Sequence, residues 1–407
     1  MPDNEPADRY EKPGAGNDPQ FAGVRERFLR MYGADDADDN PLNDAPIEIV
    51  KTPGRLNLIG EHVDYNDGVV FPMAIEPHIT LAFRRRNDAQ IRVATDANDD
   101  GPTTFTVDTG KGEPPWTNYL RGPVALLREK GEVLSGADIL LTSSLPVGAG
   151  LSSSAALEVG MTRLMLHLAG GEMDDVAVAK LGQRAEQEYA GVKCGIMDQT
   201  IVASGRKGHA MMLDCRTMER TFVPLPGDDV AVVVCDTRGE HALGDSGYNA
   251  RVESCQTAAR ALGVSSLRDA SIDDLEAKKD QMDDETYRRA RHVVTEIARV
   301  QQFADALNSK DYEKAGELMY ASHDSLRDDY EVSSDRLNAL VEAARSVDGV
   351  YGARLTGAGF GGCAIALCRP DAADAAQDAM AAAMQEQFGV KTVPFVTTAT
   401  DGARVVD

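Results

Sequence analysis

The stretch Pro146-Val-Gly-Ala-Gly-Leu-Ser-Ser-Ser-Ala-Ala-Leu157 decides how this chain is read. Gly148 and Gly150, two residues apart, can turn the backbone tightly and bring its N–H groups close to a ligand. Three hydroxyls follow, Ser152, Ser153 and Ser154, and then apolar residues at Leu157, Met161, Leu164 and Leu168 recur at helical spacing. A glycine turn that feeds a helix N-terminus suits an anion, because unpaired N–H groups and the helix dipole point to one place. Phosphate is the obvious guest. The stretch lacks the Gly-Lys-Ser/Thr ending of the Walker loop and the third glycine of the dinucleotide fingerprint. Composition alone leaves a second reading open, a strand-to-helix turn with serine caps.

Working outward, 407 residues exceed what one core usually supports, and the chain reads as two domains. A polar, acidic extension over 1–45 holds one helix, Phe21–Tyr32; the N-terminal domain then covers 46–215 and the C-terminal domain 216–407. Strands are expected at 47–50, 69–84, 91–95, 103–107, 137–141, 209–214, 230–235, 350–355, 363–367 and 390–396. Helices are expected at 116–129, after the serine run, at 174–189 and at 372–388, with 247–345 almost wholly helical and heavily charged. This mixture, not strictly alternating, is an α+β pattern.

No apolar run approaches a membrane span and no leader pattern opens the chain, which predicts a cytoplasmic protein. Six cysteines without metal spacing read as free thiols. The formal net charge of −24, from 66 acids against 42 bases, argues against nucleic acid and anionic membranes as partners. Acidic clusters at 35–39, 99–100 and 328–329 read as solvated surface, and the surplus predicts a protein stabilised by salt. Oligomeric state is not legible.

Three further constellations carry chemistry. Pro53-Gly-Arg-Leu-Asn-Leu-Ile-Gly-Glu-His-Val-Asp-Tyr-Asn-Asp-Gly68 crowds Glu61, His62, Asp64 and Asn66 into one turn, acceptors suited to a polyhydroxylated ligand, or simply a polar turn. Glu186, on a helix, and Asp198, after Gly195-Ile-Met, could converge on one cleft, one holding a divalent metal and the other taking a proton. Alternatively they are a solvated helix residue and an N-cap. Leu355-Thr-Gly-Ala-Gly-Phe-Gly-Gly-Cys363 contains Gly-x-Gly-x-x-Gly but leads into a strand, so it fails as a dinucleotide site and reads alone as a turn.

Together, and in this order, the four stretches resemble the GHMP small-molecule kinases from about Pro53 to about Cys368. The segment Gly60-Glu-His-Val-Asp-Tyr-Asn66 resembles the family's galactose-specific branch, as do Gly195-Ile-Met-Asp198 and Asp245-Ser-Gly-Tyr248; Val63 stands where that branch commonly has threonine. The resemblance implies a ribosomal-protein-S5-like N-terminal domain and a ferredoxin-like C-terminal domain with a helical insertion. It implies transfer of the ATP γ-phosphoryl group to the C1 hydroxyl of α-D-galactose, with Mg²⁺. By position, Glu61, His62, Asp64, Gly195 and Tyr248 would bind sugar, and Gly148, Ala149, Gly150, Leu151, Ser152, Ser153 and Ser154 would hold ATP. Glu186 and a loop serine, Ser154 or Ser153, would hold the metal, and Arg55 and Asp198 would face the reacting hydroxyl. A related kinase of N-acetylgalactosamine or arabinose is the near alternative. A silent galactose sensor is the distant one, disfavoured because Arg55, Glu186, Asp198 and all three serines are present.

Overall fold

The computed structural model describes residues 19–33, 45–96, 101–146, 148–239 and 244–406. In chain order the first half holds α1 (Ala22–Tyr32), β1 (Glu48–Asn57), β2 (Val69–Val70), β3 (Pro72–Arg85), β4 (Gln90–Thr95) and β5 (Thr103–Thr106). It continues with α2 (Asn118–Glu129), β6 (Ala137–Ser143), α3 (Ser153–Ala169), α4 (Asp175–Ala185), α5 (Met197–Ser204), β7 (His209–Asp214) and β8 (Arg220–Pro224). The second half holds β9 (Ala231–Asp236), α6 (Gly244–Leu262), α7 (Ile272–Ala277), α8 (Asp284–Asn308), α9 (Tyr312–Asp328) and α10 (Asp335–Arg345). It closes with β10 (Val350–Thr356), β11 (Cys363–Cys368), α11 (Ala373–Phe388), β12 (Phe395–Thr397) and β13 (Arg404–Val405).

The six-stranded sheet of the first half runs β13-β1-β3-β6-β4-β5, with a small sheet β2-β7-β8 beside it. Strand pairing therefore carries the first layer through Pro224, beyond the boundary expected at residue 215, and β13 returns to it from the far end of the chain. The second half forms a four-stranded antiparallel sheet, β10-β11-β9-β12. Counted from β9, that is the strand order of a ferredoxin-like fold, and α6–α10 fill the β9–β10 connection with the expected helical insertion.

Two expectations change. The last expected strand, 390–396, shrinks to three residues, Phe395–Thr397, because Pro394 removes a ladder donor just before it. Asp329, expected in the solvated group 328–329, is buried and ion-paired with Arg291; the groups 35–39 and 99–100 lie outside the described residues.

α8 fastens the halves together. Its Phe303 packs edge-on against Phe71 of the first half with ring centroids 5.3 Å apart, a contact worth about 1 kcal/mol beyond burial. Its Val300 lies where a Cβ on Gly60 would come within 2.9 Å, so the sugar-like turn rests directly on this helix.

Candidate active site

β1 does not stop at Val50 but runs on through Pro53-Gly54, where its register with β3 shifts. Gly54 is required there: a Cβ would stand 2.4 Å from the Leu145 side chain and 2.9 Å from the Leu151 carbonyl oxygen. The 148–154 loop therefore lies against the strand, and the Arg55 N–H donates to the Leu151 carbonyl at 3.2 Å. Within the loop Gly148, Gly150 and Ser152 all have positive φ (71°, 70° and 61°). Ser152 is the informative one, since a serine held in the left-handed region is strained. Its hydroxyl does not cap α3; it donates to the Asp198 carboxylate.

Asp198 sits in the first turn of α5, which begins at Met197, so it is not the N-cap. Both its oxygens accept from Arg55, Nε and Nη2 at 2.7 Å each, while Arg55 Nη1 donates to the Gly150 carbonyl at 2.7 Å. This fork fixes the geometry of an otherwise mobile pair, and Asp198 keeps about a quarter of its side chain open to solvent (27%).

Glu186 is buried where α4 passes into a π turn, Glu186–Ala190, a widening often found where a helix must aim a side chain. Its carboxylate accepts from Gln199 Nε2 at 2.7 Å and from the Ser154 hydroxyl. Gln199 Nε2 also reaches Glu158 at 3.0 Å, a wholly buried acid with one oxygen lacking a hydrogen-bond partner. Burial, and then the Asp198 carboxylate, push Glu186 above the ordinary range; burial and Glu186 push Glu158 well above it. Three carboxyl groups thus crowd beside the loop. Among the described residues no group of three or more His, Cys, Asp or Glu side chains is arranged to hold a metal alone. Two hard oxygen donors, Glu186 and Ser154, suit Mg²⁺, which ordinarily takes one or two carboxylates and completes its shell with water and phosphate.

The opposite wall is built differently. Asp64 presses its carboxylate against Gly195, where a Cβ would lie 1.9 Å from Oδ2 and no other residue fits. Burial first, and Asp198 second, push Asp64 up to about 6. Both rims border a cavity of about 380 Å³ that also touches Tyr65, Gln183 and Val252. His62, at φ 61°, turns its ring into a nest of tyrosines, with centroids of Tyr248 at 5.6 Å and Tyr330 at 4.8 Å. Its Nε2 faces the Ala358 carbonyl at 3.0 Å and its Nδ1 the Tyr65 hydroxyl at 2.9 Å. Burial holds it down to about 3, so the ring is neutral, with Nε2–H donating to the carbonyl. Glu61 is also turned inward: it ion-pairs with Arg354 at 2.5 Å and accepts the Gly357 N–H at 2.9 Å, and burial raises it to about 7.

Of the residues singled out from sequence, Arg55, Asp198, Ser152 and the Gly150 carbonyl bond one another, Glu186 reaches Ser154, and Asp64 and Gly195 meet at the cavity, whereas the side chains of Glu61 and His62 are turned inward onto Arg354, Gly357 and Ala358. Gln199, Glu158, Arg354, Glu296 and His292 were not foreseen. Gln199 stands within the Met-Asp-Gln run, but nothing in the sequence marks the other four apart from surface charge.

Comparison with known proteins adds independent support. The chain matches the model of the GHMP kinases N terminal domain over residues 118–206 and of the GHMP kinases C terminal over 303–386. It also matches the galactokinase galactose-binding signature over residues 42–85. It is 42% identical to a galactokinase of Bos taurus over 97% of this chain and 98% of that protein. To a galactokinase of Roseiflexus sp. (strain RS-1) it is 44% identical over 94% and 97%. The crystal structure of Lactococcus lactis galactokinase complexed with galactose superposes with a TM-score of 0.88 at 34% identity, covering 95% of this chain and 100% of that one. A mevalonate kinase at 19% identity and a TM-score of 0.58 shares the fold.

Proposed function

We infer that this chain, which belongs to the GHMP kinase family and within it to the galactokinases, transfers the ATP γ-phosphoryl group to the C1 hydroxyl of α-D-galactose. The observation that carries the reading is the Arg55–Asp198 fork, which ties the carboxylate offered to the reacting hydroxyl to the Gly150 carbonyl of the phosphate-side loop.

Each residue then has a task. The N–H groups of the 148–154 loop and the start of α3 receive the ATP phosphates. Glu186 and Ser154 would hold Mg²⁺, which when bound neutralises phosphate charge. Asp64 and the Gly195 backbone contact sugar hydroxyls, with Tyr248 as a flat wall and Glu61 and His62 shaping the turn. Phosphoryl transfer depends on alignment and charge more than on covalent help. Asp198 accepts the hydrogen bond of the C1 hydroxyl and takes its proton as the bond to phosphorus forms. In a loose transition state the proton leaves late, so a carboxylate suffices to receive it. Arg55 supplies a permanent cation beside the transferring group.

Among the described residues no helix is long and apolar enough to cross a membrane. The test is an ATP-dependent phosphorylation panel over galactose, glucose, 4-deoxygalactose, N-acetylgalactosamine, arabinose and mevalonate. Galactose should exceed glucose and 4-deoxygalactose by about 10² or more in kcat/KM, because buried acceptors left unpaired are costly. Equal turnover of the three, or turnover of mevalonate alone, overturns the assignment.

A further inference from the structure

The turn Gly60-Glu61-His62 belongs by sequence to the N-terminal half, yet its polar groups are held from the other half. The Gly60 N–H donates to Glu296 of α8 at 2.9 Å, and the Glu61 carbonyl meets His292 Nε2 at 3.1 Å. The Glu61 carboxylate takes the Gly357 N–H, and the His62 ring takes the Ala358 carbonyl. At the centre of these contacts is Arg354 on β10, a fully buried guanidinium. Its Nη1 contacts Glu61 at 2.5 Å and donates to the Asn57 carbonyl at 3.2 Å, and its Nη2 stands 3.8 Å from Glu296. Among the described residues Nε and Nη2 have no hydrogen-bond partner, so the hold of this cation on the turn runs through Nη1.

We propose that Arg354 is a positioning residue for galactose: from the C-terminal sheet it holds Glu61 in place and thereby sets the sugar turn that carries Asp64. This rests on the sugar-site reading above. The physical basis is charge. Glu296 keeps Arg299 at 2.5 Å, but Glu61 is buried against Arg354, and a buried carboxylate stripped of its cation must either take up a proton or move. Either response disturbs the turn that shapes the sugar wall. The 148–154 loop is less exposed to the change, since its ties run to Arg55 and Asp198.

The experiment compares Arg354→Met, Arg354→Lys and the double variant Arg354→Met/Glu61→Gln, reading KM for galactose and for ATP separately alongside thermal unfolding. Arg354→Met should raise the galactose KM about tenfold or more while the ATP KM stays within about twofold. Arg354→Lys, which keeps the charge but not the planar fork, should fall between it and wild type. The double variant should regain thermal stability without regaining galactose affinity, because it removes the orphaned charge and not the fault in the turn. If Arg354→Met does not fold, the lysine variant decides, and an unchanged galactose KM there overturns the proposal. A parallel rise in both KM values overturns it too, as that is the mark of a general structural role. Wild-type protein that ignores galactose in the phosphorylation panel overturns the sugar reading itself, an outcome separate from all of these.

Discussion

The two walls of the cleft solve opposite problems with the same residue types. On the phosphate side, Arg55, Asp198 and Ser152, all from the first half of the chain, bind one another, and Asp198 keeps part of its surface open. On the sugar-turn side, Glu61 and His62 are almost sealed, and apart from Tyr65 their side-chain partners come from segments hundreds of residues away. The phosphate wall is assembled within the first half of the chain and crowds Glu186, Glu158 and Asp198 together, so that a bound cation would relieve their repulsion. The sugar turn has Glu61 charge-matched by Arg354 before any ligand arrives. A site can therefore be prearranged by being satisfied or by being left wanting, and this cleft uses both.

The sharpest way to break that contrast is Asp198→Asn, which severs the fork on the phosphate side. It should lower kcat by about 10² or more while galactose binding, measured by calorimetry, survives. Retained activity would remove Asp198 from the reaction. Next in size, Glu186→Gln should raise the Mg²⁺ concentration for half-maximal rate by about tenfold and leave the galactose KM unchanged. An unaltered metal requirement would detach Glu186 from the cation.

A smaller effect sharpens the sugar side. Burial and the neighbouring Asp198 raise Asp64 to about 6, so its ionised, accepting form is lost as pH falls through that value. The galactose KM should climb below about pH 6 by a few-fold, and Asp64→Asn, weaker at every pH, should show a flatter profile. A steep rise that persists in Asp64→Asn would assign the titration elsewhere.

The smallest effect lies outside the cleft. The buried pairs are shielded from solvent ions, whereas the surplus of 24 acids is felt at the surface, where raising ionic strength from 0.1 M to 1 M shortens the screening length from about 10 Å to about 3 Å. Thermal midpoints should rise by several degrees across that range of KCl, with galactose affinity nearly constant. A flat or falling midpoint would show that the surface charge is already balanced by local pairs.

How far the sequence reveals these walls follows from the same contrast. The glycines, serines and Asp198 of the phosphate wall lie in short runs with recognisable spacing, and the loop and α3 were legible, whereas α5 was not among the expected helices. The expected helices at 116–129, 174–189 and 372–388 reappear closely as α2, α4 and α11, because amphipathic periodicity is itself local. The partners of the sugar turn have no such signature. The Asn57 N–H bonds the Thr356 hydroxyl across 299 residues of chain. Glu296 and His292 lie on a helix so charged that composition reads it as solvated, yet both are wholly buried. Burial of an acid is decided by what packs over it, not by the residues on either side of it. β8 and β13 escaped for a related reason: each is short, and each exists because an edge was waiting for it.

β13 has a consequence for how the molecule comes into being. It borders β1, the strand that carries Arg55, yet it is synthesised more than three hundred residues later. While the chain emerges from the ribosome, the strand that aims the guanidinium has one flank bare, and that flank is covered only after the four-stranded sheet has been made. The nascent first half thus carries an open strand edge, the feature most prone to pairing with other chains. β13 meets β1 only at Val50 and Lys51, upstream of Arg55, so a chain not yet made that far keeps a frayed border on the sheet that carries the guanidinium.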